Sequence, residues 1–181
     1  MTRFAELTAL AAARRAADAE YEAGCRFAAQ ALAQAWHAHL GGPAGSVAYR
    51  ELSAGLVPGA PLWPVGGAFP GFRPGGGGWL CFAVDTALGG PGAEAAFAGT
   101  AVFAVRLRGH QFALRAGERE WAFGPHDPAA LAGICADLEG ELRRHLTGPP
   151  VGGPRPPGLT VCPTGLSFGN PLGRQRIGVS P

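Results

Sequence analysis

The stretch from Ala101 to Phe123, AVFAVRLRGHQFALRAGEREWAF, constrains the fold of this chain more than any other, because apolar and polar residues alternate through two consecutive turns. Alternation with a period of two residues is typical of half-buried strands. A two-residue turn of type II′ beginning at Gly109 would place Leu107 opposite Phe112 on the next strand. The first two strands therefore predict a hairpin with an apolar inner face.

A second turn of the same type, beginning at Gly117, gives a matching result. It would place Leu114 opposite Trp121, and it would place Arg115 opposite Glu120 as a pair of opposite charges. A slip of one residue would invert every side chain, so the agreement of the two turns fixes one register. The sequence predicts an antiparallel meander with aromatic and aliphatic residues on its inner face.

Further elements extend the meander. The segment from Trp79 to Val84 reads as another strand, and it is apolar on both faces, as in a covered strand. After Phe123, Asp127 suits the N-cap of a helix and Pro128 suits its first position. That helix, predicted over residues 127–146, has an apolar stripe formed by Leu131, Ile134, Cys135, Leu138, Leu142, His145 and Leu146. We expect it to lie across the inner face of the sheet.

The amino-terminal residues 2–40 are rich in Ala and contain no Pro, which predicts one long helix or two helices separated near Gly24. A helix of roughly 35 residues would be about 50 Å long, more than a domain of this size needs. Part of it is therefore expected to project or to fold back. Its small side chains would allow close packing on its own sheet or on another subunit.

These elements predict the α+β class: an antiparallel meander of about four strands, covered by a C-terminal helix and part of the long N-terminal helix, with arms rich in Pro and Gly. Residues 1–147 are expected to form one domain, with its sheet in residues 79–123. Residues 57–78 form a Pro/Gly loop, and residues 148–181 form an extended basic tail. The tail includes a short candidate strand at Leu159–Cys162.

The loop and the tail carry the candidate partner-binding residues. In the loop, the aromatic side chains either dock the loop onto the domain or form a partner-binding surface. In the tail, arginines and scattered apolar residues follow Glu141, the last acidic residue of the chain. The candidates are Trp63, Phe69, Phe72, Arg73, Arg155, Phe168, Arg174 and Arg176.

Composition excludes several classes of protein. A hydrophobic fraction of 47% excludes disorder of the whole chain, and a formal net charge of +2 is too small to predict a polyanion partner for the whole surface. The amino terminus has no uninterrupted apolar run, so the sequence predicts a cytoplasmic protein without a membrane span. The four cysteines are widely spaced and are expected to be reduced.

Motifs of catalysis or metal binding are weak. His37 and His39 are two residues apart on a predicted helix and point to different sides, so they do not form a chelating pair. The His126-Asp127 pair has no companion histidine motif, and Asp127 already has a capping role. No Walker A motif occurs. We predict no cofactor, no metal and no catalytic residue.

Three hypotheses follow. The first is a non-catalytic accessory, adaptor or structural subunit that binds another protein or itself. The second is binding of nucleic acid or another polyanion through Arg106, Arg108 and Arg115 on the outer face of the meander, together with the tail. Because the aromatic residues of the meander point inward, such binding would contact phosphates without stacking on bases. The third is a small hydrolase or transferase that pairs a cysteine with a histidine, such as Cys81 with His110 or Cys135 with His145.

Overall fold

The computed structural model describes residues 2–52, 61–89, 97–147 and 166–167 of the 181-residue chain. Two helices, α1 (Arg3–Leu40) and α2 (Pro128–Thr147), accompany one antiparallel sheet. Its strands within the described residues are β1 (Val47–Arg50), β2 (Leu62–Pro64), β3 (Arg73–Pro74), β4 (Leu80–Leu88), β5 (Phe97–Arg108), β6 (Gln111–Ala116), β7 (Arg119–Phe123) and β8 (Leu166–Ser167). The predicted α+β class is confirmed.

The order of the longer strands across the sheet is β2-β1-β4-β5-β6-β7. The short β3 pairs with the beginning of β4, and β8 pairs with β5 at Thr100 and Ala101. The strand predicted at Trp79–Val84 is therefore the longer β4 at the middle of the sheet. The candidate strand at Leu159–Cys162 lies outside the described residues.

The predicted register of the meander is confirmed. Leu107 lies opposite Phe112, and Leu114 lies opposite Trp121. The glycines that begin the two turns, Gly109 and Gly117, both have φ of +60°, and no non-glycine residue in the described part has positive φ. A positive φ at the first turn residue alone is the signature of type II′, which matches the right-handed twist of the strands.

One face of the sheet, here called the inner face, packs against both helices. The apolar side chains of the strands alternate onto it and meet the second half of α1 and the stripe of α2. The largest fully buried side chains of the core between sheet and helices include Tyr49, Phe82, Phe123, Leu32 and Leu114. In α2, Asp127 Oδ1 accepts a hydrogen bond from the Ala130 amide at 2.9 Å, as the N-cap prediction requires.

The last turn of α2 departs from the prediction. His145 and Leu146 were predicted to lie on the buried stripe, but both are exposed. The buried residues of α2 end at Leu142, and the last turn of the helix lies at the surface.

A buried hydrogen bond joins the helix layer to the sheet. Trp36 Nε1 of α1 donates to Thr86 Oγ1 of β4 at 2.9 Å, and Thr86 is one of the few buried polar residues. The pair satisfies two polar groups that would otherwise be buried without a partner. It therefore helps to fix the position at which the second half of α1 lies on the sheet.

Candidate binding surfaces

The helix α1 is continuous over 38 residues, with no break at Gly24, and its two halves lie in different environments. Buried residues begin at Cys25, whereas nearly every residue from Arg3 to Glu20 is exposed. Those 18 residues correspond to about 27 Å of helix that stands clear of the sheet. This segment, residues 3–20, is called the projecting segment below.

Three large apolar side chains lie on the projecting segment without a partner among the described residues. Phe4 is 81% exposed, Leu7 is 66% exposed and Leu10 is 60% exposed. At 100° per residue, their spacing of three places them within an arc of about 120°, with Leu7 at its centre. They form one apolar stripe, called the Phe4–Leu10 stripe below.

Local interactions maintain the helical conformation of this segment. Thr2 caps it, with its Oγ1 accepting from the Ala5 amide at 3.4 Å, and Arg14 forms an ion pair with Asp18 one turn later at 3.0 Å. Alanine has the highest helix propensity, and the buried half of α1 removes the unfavourable nucleation step. The segment is therefore a preformed helix that needs no folding on binding.

The aromatic residues of the 57–78 loop contact the domain. Phe69 lies 5.2 Å from Tyr49 and 4.8 Å from Phe72 between ring centroids, and Phe72 lies 6.2 Å from Phe82. Both phenylalanines are half-buried, and so is Trp63 on β2, whereas Arg73 is exposed. The rings use these contacts within the domain, and their role toward a partner stays a prediction.

The outer face of the sheet carries a cluster that sequence reasoning did not foresee. Trp79 lies directly before β4 on this face, with the guanidinium carbon of Arg106 at 4.2 Å and that of Arg115 at 4.7 Å from its ring centroid. We call these three residues the Arg–Trp cluster. The aromatic residues of the meander point inward, as expected, but Trp79, which precedes β4, lies on the outer face.

The third outer-face arginine is placed differently. Arg108 lies near the Gly109 turn, 3.7 Å from the Glu120 carboxylate, and both side chains are largely exposed. The side chains of Arg106 and Arg115, by contrast, form no hydrogen bond or ion pair within the described part of the chain, and their buried Nε atoms have no partner there. Among the described residues, one of the three predicted arginines is therefore paired with a carboxylate and two are not.

A groove opens where α1 leaves the sheet. It has a volume of about 640 Å³ and lies between the projecting segment, the glycine run before β4 and the end of β5. Its charged lining residues are Arg14, Asp18, Arg106 and Arg108. The groove therefore connects the Arg–Trp cluster with the base of the projecting segment.

The described thiols are buried. Burial raises the pKa of Cys135 to about 11 and also raises the pKa of Cys25. For Cys81, burial outweighs the opposing effect of Arg115 and Arg73, so that its pKa is raised as well. A cysteine nucleophile needs the opposite shift, because the thiolate is the reactive form.

The histidines have other partners. His39 Nε2 lies 2.8 Å from Glu139 Oε2 and stacks on Trp36, and His126 meets the ring of Phe27. Within residues 2–52, 61–89 and 97–147, no three side chains of His, Cys, Asp or Glu come together as a metal site. Cys81 and Cys135, the cysteines named in the hydrolase or transferase hypothesis, are both buried, and the hypothesis itself stays a prediction.

Four of the predicted partner-binding residues, Arg155, Phe168, Arg174 and Arg176, lie outside the described residues, as does Cys162. The exposed arginine of the loop, Arg73, pairs through β3 with Cys81 and so lies near the Arg–Trp cluster. The structure thus brings the loop arginine and two of the sheet arginines to the same part of the outer face.

No family model, no curated protein and no solved structure matches this chain. Neither described helix contains an apolar stretch long enough to cross a membrane.

Proposed function

We propose that this protein is a non-catalytic accessory or adaptor subunit that binds another protein through the projecting segment of α1. The observation that carries the proposal is the Phe4–Leu10 stripe, three large apolar side chains that are each at least 60% exposed on a preformed helix. Single exposed apolar residues are ordinary, but a contiguous set on one helix face is typical of an interaction surface.

The spacing of the stripe indicates the kind of partner. Apolar residues that recur at three- and four-residue intervals on one helix face are the anchors by which helices bind in grooves of other proteins. Leu7 lies at the centre of the stripe, with Phe4 and Leu10 on either side of it. The partner is therefore a protein with an apolar groove that accepts about two turns of helix.

A second copy of this chain is a weaker candidate for the occupant of the stripe. Arg14 follows Leu7 by seven residues, which returns it to the same side of the helix within about 20°. Two projecting segments packed against each other would thus share only a short apolar seam before a charged side chain enters it. A stable pair of helices needs a longer apolar repeat than this.

The test compares complex formation in lysate of the native cells by size-exclusion chromatography. The double variant Leu7→Glu/Leu10→Glu is expected to elute near the 18.4 kDa monomer, while the unaltered chain elutes in a larger complex. The control is Ala9→Glu, since Ala9 lies about 200° from Leu7 around the helix and is also exposed.

Two results would contradict the proposal. One is an unaltered chain that elutes as a monomer in native lysate, and the other is a double variant that keeps the complex. Sedimentation of the purified chain distinguishes self-association, because a homodimer would persist without any other protein.

A further inference from the structure

Two guanidinium groups share one indole ring on the outer face of the sheet. Arg106 and Arg115 both lie within 5 Å of the Trp79 ring centroid, and the ring itself is only 6% exposed. Cation–π contact favours each arginine individually, but two positive charges at one ring repel each other. Within the described part of the chain no carboxylate contacts either group, so the repulsion is not offset there.

A third cation increases the positive charge of this region. Arg73 is exposed on β3, and its charge, like that of Arg115, opposes the rise in the pKa of Cys81 that burial causes. The positive charge of these arginines favours an anion in this part of the outer face.

The groove beside the cluster provides space for such an anion. Arg106 lines both the groove and the Trp79 ring, and Asp18, the carboxylate in the lining, is already paired with Arg14. The groove volume of about 640 Å³ is that of a small-molecule site. Its net charge is positive even after the Asp18 ion pair is counted.

The glycine run before β4 forms one wall of the groove, to which Gly75, Gly77 and Gly78 contribute. Gly77 and Gly78 have φ of +67° and +76°, a conformation that glycine adopts without strain. A ligand in the groove can therefore approach the backbone at Gly77, where no side chain intervenes, as phosphates do in glycine-rich loops.

Hydrogen bonds to α1 and to Trp79 hold the run in place. Tyr21 of α1 donates from its hydroxyl to the Gly78 carbonyl at 2.5 Å, and the Gly75 amide donates to the Trp79 carbonyl at 2.7 Å. The wall is thus positioned before any ligand binds, which lowers the entropic cost of binding.

From these features we infer that the groove binds a small phosphorylated molecule, with Arg106 and the Gly77 amide as its phosphate-binding groups. Guanidinium forks and backbone amides together are the donors that proteins use for phosphate. The arginines cover Trp79, so the ring offers no face on which a nucleic-acid base could stack. The inference does not depend on protein binding through the Phe4–Leu10 stripe.

The test uses inorganic pyrophosphate as the probe and isothermal titration calorimetry on the full chain. The unaltered chain is expected to bind one pyrophosphate, and Arg106→Gln is expected to weaken that binding about tenfold or more, the effect of losing a hydrogen bond to a charged group. The control Arg144→Gln removes the same charge from an exposed position on α2 and should leave the affinity unchanged.

A second variant keeps the test decisive if Arg106→Gln disturbs the sheet. Asp18→Asn removes a carboxylate from the groove lining at an exposed position of α1, so the fold should tolerate it, and it releases Arg14 from its ion pair. It should strengthen pyrophosphate binding. The Leu7→Glu/Leu10→Glu variant should bind pyrophosphate normally, which separates this site from the proposed function.

Three outcomes would overturn the inference. They are absence of pyrophosphate binding, equal affinity of Arg106→Gln and Arg144→Gln, and no gain of affinity in Asp18→Asn. Single-stranded oligonucleotides of increasing length form a further arm. An affinity that rises with length while pyrophosphate fails to bind would replace the small-molecule site with an extended polyanion surface.

Discussion

The division of α1 into a buried and a projecting half predicts very different effects for the same substitution at two positions. Leu32 is 1% exposed in the core, whereas Leu7 is 66% exposed. Leu32→Ala removes about three buried methylene equivalents at about 0.8 kcal/mol each, which gives about 2.4 kcal/mol before any cavity term.

The cavity term increases this cost. Leu32 already lines a small core cavity of about 10 Å³, together with Trp36 and Leu138, and the truncation would enlarge it. Since unfilled core volume costs about 24 cal/mol per Å³, the total loss for Leu32→Ala is expected to be about 3 to 5 kcal/mol. Leu7→Ala should change the free energy of unfolding by less than about 0.5 kcal/mol, as exposed substitutions do.

Urea denaturation followed by circular dichroism measures both values. The midpoint should fall for Leu32→Ala, with the slope m unchanged, and should stay in place for Leu7→Ala. Measurements at two protein concentrations detect self-association. A loss of more than about 1.5 kcal/mol for Leu7→Ala, well above the range for exposed sites, would refute the assignment of residues 3–20 as a projecting segment.

Three further predictions follow from the described structure. A Cys162→Ser variant retains only the buried thiols of Cys25, Cys81 and Cys135. It should therefore not react with a thiol reagent at neutral pH until guanidinium chloride unfolds it. Rapid reaction of the native protein would contradict the burial of these thiols. Hydrogen bonding to His39 lowers the pKa of Glu139 from its usual 4.5, so this residue contributes stability above pH 4.5 that is lost as the pH falls below it. The melting temperature of Glu139→Gln should therefore depend less on pH in that range than the melting temperature of the unaltered chain. Parallel curves of melting temperature against pH would contradict this. Gly109→Ala should destabilise the protein by about 1–2 kcal/mol, because φ at Gly109 is positive. Gly133→Ala, on the exposed side of α2, should stabilise it by about 0.5–1 kcal/mol. Urea denaturation measures both changes, and a change of the same sign for the two variants would contradict the turn geometry.

The sheet could be predicted from the sequence where the information is local. Turns beginning at Gly109 and Gly117 fix the register of three strands, because each pairing partner is only a few residues away. The N-cap at Asp127 is local in the same way. These features depend on spacing and turn chemistry, which a single sequence displays directly.

Features that depend on distant parts of the chain could not be predicted. The position of Trp79 beside Arg106 requires the register of β4 against β5, and these strands are separated by more residues than a two-residue turn has. The sequence does show alternating apolar residues on both strands, which lie opposite each other in the structure: Leu80, Phe82 and Val84 on β4, and Val105, Phe103 and Ala101 on β5. The alternation shows which residues share a face of the sheet, but shifting one strand by two residues fits it equally well, so it does not fix the register.

Helical periodicity also failed to show where α1 leaves the sheet. The stripe from Phe4 to Leu10 and the buried stripe beginning at Cys25 have the same apolar spacing. The spacing identifies a face of the helix, but whether a sheet lies against that face depends on the length of the strands beneath it. The same limit explains why His145 and Leu146 were assigned to the buried stripe of α2.

Site-specific photocrosslinking tests the proposed function most directly. A photoreactive phenylalanine analogue is placed at position 7 in the native cells, and in a separate strain at position 9, on the opposite side of the same exposed helix. Binding through the Phe4–Leu10 stripe predicts a covalent adduct with a different polypeptide from position 7 and little or none from position 9. An absence of adducts at position 7, or equal adducts at both positions, would contradict it.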